Sequence, residues 1–454
     1  MRARPPAVRS ALALCLAVLA ASAPAQPVAF GSADDVLEGG SGDRPRDALT
    51  VSALAGPAYL PDTWRGGVRA EIAGERGPWA FAVGQTLHPG VGGLYGPEAD
   101  EAYDALRAIR YVRYTPRGGP LYARLGPTER VTLGTGALVR RYRTTTAWDE
   151  RRVGVEAAVV GGGTRATAFT DDVLLGGIVG GDVQVGLGAG VGPLRNLRLG
   201  LAAVHDIAGV GVTGDSSLTG VEATLRGRLA RNGPLPVSAF VTHARYLGQG
   251  STLGGGLDVG ASNLADALRA TARLAVFAST PDFVPGHVGP FYPVSNGRAR
   301  IVDDGSFFDD EQATTLVGTP LDSLGAGVDV VLDLRLVAFG RFEIAQHVRR
   351  HLGPDAASAY GLRLAGRLPR GGHVEFGLER QGFRGFFDLI GSLGGENTLL
   401  LDVAVPVGER GRVFVRSRYG YRRLAAADGA AFADGEFFLV ERRFEPLAGV
   451  RLRL

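Results

Sequence analysis

From Trp64 to Leu454 the chain repeats one pattern, in which apolar and polar residues alternate and turns break the alternation. Near the start Trp64, Gly66, Val68, Ala70 and Ile72 share one face, while Arg65, Arg69 and Glu71 share the other. Over 219–230, Val221, Ala223, Leu225 and Leu229 oppose Glu222, Thr224, Arg226 and Arg228. Further along, Tyr360, Leu362, Leu364 and Leu368 oppose Arg363 and Arg367, and Val413 and Val415 oppose Arg412, Arg416 and Arg418. A period of two fits strands and not helices, whose faces repeat every 3.6 residues.

Tight turns such as Asn232-Gly233-Pro234 and Gly408-Glu409-Arg410-Gly411 separate some segments; long connections over 279–323, 380–395 and 423–434 separate others. Segments 131–142, 173–180 and 182–190 read as strands like the rest. Only 97–110, with Pro97 at its start and Glu98, Asp100 and Glu101 in its first turn, reads as a helix. The predicted fold is all-β, an antiparallel transmembrane barrel of about 16–20 strands, 18 favoured, with long loops at one rim. A soluble sandwich offers the same alternation. However, a soluble sheet of this length splits into domains, and none of these 400 or so residues marks a boundary.

Composition adds an export signal. Arg2, Arg4 and Arg9 precede an apolar run from Ala11 to Ala21, and Ala23-Pro24-Ala25 supplies a small-x-small cleavage site. The predicted domains are therefore 1–25, a signal peptide; 26–63, a periplasmic lead-in or linker; and 64–454, the barrel. The lone Cys15 lies in the removed segment, so disulfides and thiolate chemistry drop out. The net charge of +3 comes from the leader: three of 49 basic residues sit there, leaving 46 against 46 acids. No nucleic-acid partner follows from that balance. All the basic residues are arginine, and glycine is 69 of 454.

The final alternation, with Val450, Leu452 and Leu454 against Arg451 and Arg453, resembles the terminal signal strand of bacterial outer-membrane β-barrel proteins, although Leu454 stands where an aromatic residue is usual. The resemblance is porin-like at the level of pattern over 64–454, with no specific family identified. It implies residence in the outer membrane of a Gram-negative-type bacterium. It also implies contact with outer-membrane lipid and lipopolysaccharide, and insertion by the barrel-assembly machinery. Trp64, Trp79 and Trp148, with Tyr111, Tyr114, Tyr122 and Tyr142, are candidates for an interfacial aromatic girdle.

Candidate chemistry is sparse. G-x-S-x-G is absent. His347 and His351 stand four apart without the glutamate of H-E-x-x-H, and read as rim histidines at a strand end and in the following turn. No cofactor is expected, apart from a calcium ion in the acidic run holding Asp303, Asp304, Asp309, Asp310 and Glu311, whose register is not that of an EF-hand. Arg226, Arg228, Arg363, Arg367, Arg412, Arg416 and Arg418 are the candidate channel-lining residues. The function expected is a channel for passive or facilitated diffusion of small polar solutes. The alternatives are a non-transport scaffold or surface-assembly barrel, and an outer-membrane hydrolase.

Overall fold

The structure, a computed structural model, describes residues 48–454 except 61–62, 96–101, 117–119, 146–151, 175–176, 189–195, 208–217, 231–235, 265–267, 296–300, 303–313, 319–325, 340–341, 353–357, 369–371, 382–396, 409 and 424–436. The signal peptide and the acidic run at 303–311 lie outside the described residues.

The alternating segments form twenty wall strands. The first ten are β1 (Ala48–Leu60), β2 (Thr63–Arg76), β3 (Trp79–Leu87), β4 (Ile109–Tyr114), β5 (Leu121–Gly126), β6 (Gly154–Gly161), β7 (Thr164–Thr170), β8 (Ile178–Gly186), β9 (Leu197–Asp206) and β10 (Thr219–Ala230). The remainder are β11 (Val237–Tyr246), β12 (Ser251–Leu264), β13 (Leu268–Ser279), β14 (Gly327–Ala338), β15 (Phe342–Leu352), β16 (Ala359–Arg367), β17 (His373–Gln381), β18 (Asn397–Val407), β19 (Gly411–Arg423) and β20 (Phe437–Arg453). Each pairs antiparallel with its neighbours in sequence, and β1 pairs with β20 from Thr50↔Arg453 to Tyr59↔Phe444, so the sheet closes on itself. Closure leaves no unpaired edge, the condition for a sheet to lie in hydrocarbon. Every connection longer than ten residues lies at the rim where β1 ends and β20 begins, the long-loop rim; the opposite rim, holding the start of β1 and the end of β20, carries only shorter turns.

The strand number lies within the expected range and two above its central value. One reason is β1, which falls inside the stretch read as a lead-in. Its pattern is blurred because Leu54, Ala58 and Leu60 are buried on the inner side, so both faces carry apolar residues. Four other sequence readings change. The two strands read at 173–180 and 182–190 are replaced over 178–186 by one strand, β8. The expected helix reduces to one turn, Asp104–Arg107, among the described residues. Ile109 and Arg110, where the expected helix overlaps the strand read over 109–115, belong to that strand, β4. The segment 131–142 is not a wall strand; it folds into the lumen.

The wall has two faces of opposite character. Leu225, Leu364 and Val415 are 46%, 39% and 44% exposed on the outside, whereas Arg363 and Arg416 are 4% and 5% exposed on the inside. Leu452, Val51, Ile72 and Val83 lie side by side across four neighbouring strands, all on the outer face. Trp64 packs edge-on to Tyr59 at 5.4 Å near the long-loop rim, and Trp79 lies 4.8 Å from Tyr114 at the short-turn rim. The strand between them runs about 12 residues, about 40 Å, or about 30 Å along the axis at a tilt near 40°. These are the two interfacial levels of a bilayer. Tyr111, Tyr122 and Tyr142, expected in the girdle, are buried inside instead, and Trp148 lies outside the described residues.

The closing seam depends on a close backbone approach. A Cβ at Gly449 would sit 2.1 Å from the Ala53 carbonyl oxygen and 2.8 Å from Leu54 Cα. Gly449→Val should therefore push β20 off β1, at a cost of about 1–3 kcal/mol or more from overpacking. Electrophoresis without heating reads this out as a fall in the compact, fast-migrating fraction; an unchanged fraction would show that the seam has room.

Candidate functional site in the barrel lumen

Twenty strands about 4.8 Å apart, tilted by about 40°, place the backbone about 20 Å from the barrel axis. Wall side chains alone do not fill such a lumen. Two segments from the long-loop rim enter it. The first, between β5 and β6, is a hairpin-like fold in which Val131 and Tyr142 exchange backbone hydrogen bonds at 3.0 and 2.9 Å. Gly134 (φ 55°) and Gly136 (φ 84°) bracket its tip at Thr135. The second, 281–292, runs parallel beside it: Gly286 N donates to Ala137 O (2.8 Å) and Arg140 N to Val288 O (3.0 Å). Leu133, Leu138, Val139, Phe283, Val288 and Tyr292 pack with Phe240, Tyr246, Phe277 and other inner-wall residues of β7–β14 into one apolar core.

Polar groups fix this plug around the wall. Glu222 on β10 receives both the backbone N–H and the hydroxyl of Thr135, each at 2.7 Å, along with Thr224 (3.0 Å) and Thr242 (3.1 Å). A Cβ at Gly134 would meet that carboxylate at 2.6 Å, which with the left-handed backbone requires glycine there. Arg140 pairs with Asp333 (2.5 Å), Arg141 with Glu379 (2.7 Å), and Tyr292 donates to Asp206 (2.9 Å). Arg349 donates to the Pro285 carbonyl, and Tyr142 to Asp171. Outside the strands, Tyr103 accepts from Val153 N at 2.8 Å and donates to Asp172 at 3.0 Å. Burial, with the Asp172 carboxylate beside it, pushes this phenol up to about 12, so it stays a donor. A further stretch of the loop between β13 and β14 reaches across the same rim, where Thr314–Gly318 pairs with β20.

On the short-turn side of the plug lies a chamber of about 690 Å³. Its walls come from β10–β16 near their short-turn ends, and its roof from the plug. Eight arginines and three carboxylates line it. Asp258 is shared by Arg226 (3.2 Å) and Arg273 (2.6 Å); Glu343 is shared by Arg335 (3.0 Å) and Arg363 (3.2 Å), the latter also reaching Glu375 at 2.8 Å; Asp333 holds Arg140 and, at 2.6 Å, His347. Arg130, Arg141 and Arg228 complete the positive set.

Of the arginines singled out in the sequence, Arg226, Arg228 and Arg363 share this chamber. Arg367 lies near the short-turn end of β16 and Arg412 near that of β19. Arg416 pairs with Asp402 at 2.6 Å, and Asp402 also takes His373 at 3.0 Å. Arg418 borders a separate cavity of about 90 Å³ with Glu129, Arg143 and Glu379. His347 and His351 both stand in β15; His351 lies 3.3 Å from Asp329, so neither is a turn residue. Among the described residues no three metal-ligating side chains cluster. Sequence reasoning missed Arg273 and Arg335 on the wall, and Arg130, Arg140 and Arg141 on the plug. The signal for the plug arginines was the adjacent pair Arg140-Arg141, since in a wall strand one of two consecutive arginines must face lipid.

A closed antiparallel barrel with an apolar outer belt, aromatic levels at both rims and a charged interior is a transmembrane β-barrel of the outer-membrane type. No family model matches the chain, and no curated protein matches it. Among solved structures it is similar to Pseudomonas aeruginosa OpdL, at 12% identity over 90% of this chain and 99% of that one, TM-score 0.32. It is similar to the outer membrane protein OpdK of the same species, at 10% identity over 90% and 98%, TM-score 0.31. It is also similar to Wzi of Escherichia coli, described as a carbohydrate-binding barrel involved in group 1 capsule assembly, at 11% identity over 90% and 84%, TM-score 0.34. The class stands on the strand pairing and the two faces of the wall.

Proposed function

We propose that this barrel is an outer-membrane channel for passive or facilitated diffusion of small polar solutes, constricted by its two inward segments. The supporting observation is the chamber: about 690 Å³ of lumen lined by guanidinium and carboxylate groups that can replace a solute's hydration. In this reading Arg226, Arg228 and Arg363 meet the solute in the chamber. Arg367, Arg412, Arg416 and Arg418 belong to the rest of the charged inner wall. The apolar belt faces lipid and lipopolysaccharide, and the barrel-assembly machinery inserts the chain. Purified barrel in planar bilayers should give discrete conductance steps in KCl. Correctly inserted protein that gives none would overturn the channel. One observation favours the second reading, a scaffold or surface-assembly barrel: the dry core that the plug builds against β7–β14 fills part of the lumen as a domain core would. The same bilayer record separates the two.

A further inference from the structure

The chamber's charge is unbalanced. Five of its arginines already share its three carboxylates. Arg130 and Arg228 form none of the ion pairs with the chamber's three carboxylates; Glu379 and Glu375, the acids nearest in effect to Arg130, lie outside its lining. Arg141 turns to Glu379, which is not part of the chamber lining. Buried donor atoms remain as well: Arg363 Nη2 and Arg140 Nε have no hydrogen-bond partner among the described residues. A cluster of like charges in a partly enclosed space is costly unless an anion enters it.

The backbone points the same way. Arg130 (φ 55°) and Arg141 (φ 53°) occupy the left-handed region, which non-glycine residues rarely adopt. They flank the Val131↔Tyr142 bridge, one on each strand of the hairpin, and both line the chamber. An ordinary extended backbone at either position would continue the alternation and aim its guanidinium elsewhere. Strain placed symmetrically on two charged residues that converge on one cavity marks a built site.

We propose that the chamber binds a small dianion, a dicarboxylate or an inorganic phosphate, between Arg130 and Arg141 above and Arg226, Arg228 and Arg363 at the wall. Guanidinium groups match both oxyanions by paired N–H donors, and several around one cavity hold a dianion better than chloride. The inference deepens the channel reading and rests on it for how the solute arrives. The chamber lies on the short-turn side of the constriction, so a bound dianion stands next to the narrowest part of the path.

The test uses the full-length barrel, with succinate and inorganic phosphate as separate titrants in detergent calorimetry, and reversal potentials across a KCl gradient in bilayers. Wild type should bind at least one probe and prefer anions. Arg130→Gln with Arg141→Gln should weaken binding by about tenfold or more, as expected for losing charged hydrogen bonds. Because Arg141 also supports Glu379, Arg228→Gln is the second variant; it disturbs no ion pair among the described residues and should weaken binding about threefold. Tighter binding of succinate assigns a carboxylate solute, and of phosphate a phosphate. Conductance without binding of either probe, or variants that bind like wild type, would overturn the site. Binding that falls in the variants without any conductance would support the site and sink the channel reading instead.

Discussion

Replacing residues 131–142 by a short glycine–serine linker should raise single-channel conductance by about threefold or more, while the barrel still inserts. Conductance follows the narrowest cross-section of the water path. The wall backbone stands about 20 Å from the axis, and the inward segments occupy much of that circle with a dry core. Removing the hairpin takes away the partner of 281–292, which leans on Ala137, Leu138 and Arg140 through backbone hydrogen bonds. The wall's own ladders are untouched, since none of the twenty strands uses 131–142 as a partner. A gentler variant, Glu222→Ala, removes the acceptor for Thr135 N and Thr135 Oγ1, while Thr224 and Thr242 keep each other at 2.9 Å and Thr242 the Ala223 carbonyl at 3.2 Å. Leaving such donors unpaired costs about 1–3 kcal/mol each where they stay buried. That variant should give noisy, intermittently larger steps at wild-type stability of insertion. Unchanged conductance in the linker variant would mean that the hairpin does not set the constriction.

The physical basis of what the sequence revealed is narrow and consistent. Period-two alternation reports which face of a strand meets which solvent, and at 219–230, 359–368 and 411–416 it assigned Leu225, Leu364 and Val415 outward and Arg226, Arg363 and Arg416 inward, as found. The same signal located Arg226, Arg228 and Arg363, because they belong to wall strands. It is silent where the chain leaves the wall. In 131–142 the residues Val131, Leu133, Ala137 and Val139 mimic an outward face, yet all are buried in a core inside the lumen. Only the consecutive arginines and the Gly134–Gly136 pair contradict a strand there, and each is a local clue without a long-range partner. Arg130 and Arg141 reach the chamber through two left-handed residues and a register set by Glu222, 87 residues beyond the Thr135 it holds. No local pattern encodes that. The first strand was missed for the opposite reason: its inner face is apolar where it meets the closing seam, at Leu54 beside Leu447.

Leu225→Arg should abolish most folded insertion, whereas Ser238→Arg should insert as wild type. Both residues sit on neighbouring strands, β10 and β11, and both replacements add the same charge. They differ in the solvent that receives it. Leu225 lies mid-strand on the outer face, paired in register with Leu199 and Val241, themselves exposed apolar residues. An arginine there enters hydrocarbon at a cost of about 2–4 kcal/mol near the bilayer midplane. Ser238 lines the chamber at its short-turn end, in register with Asp258 on one side and Arg228 on the other, so a guanidinium there meets water and both signs of charge instead of hydrocarbon. Folding into liposomes, followed by the heat-sensitive mobility shift, measures both fractions. If the two variants fold equally well, the wall does not separate hydrocarbon from water. The transmembrane class, the channel and the anion chamber would then lose their common footing, because each requires the arginine face to be the wet one.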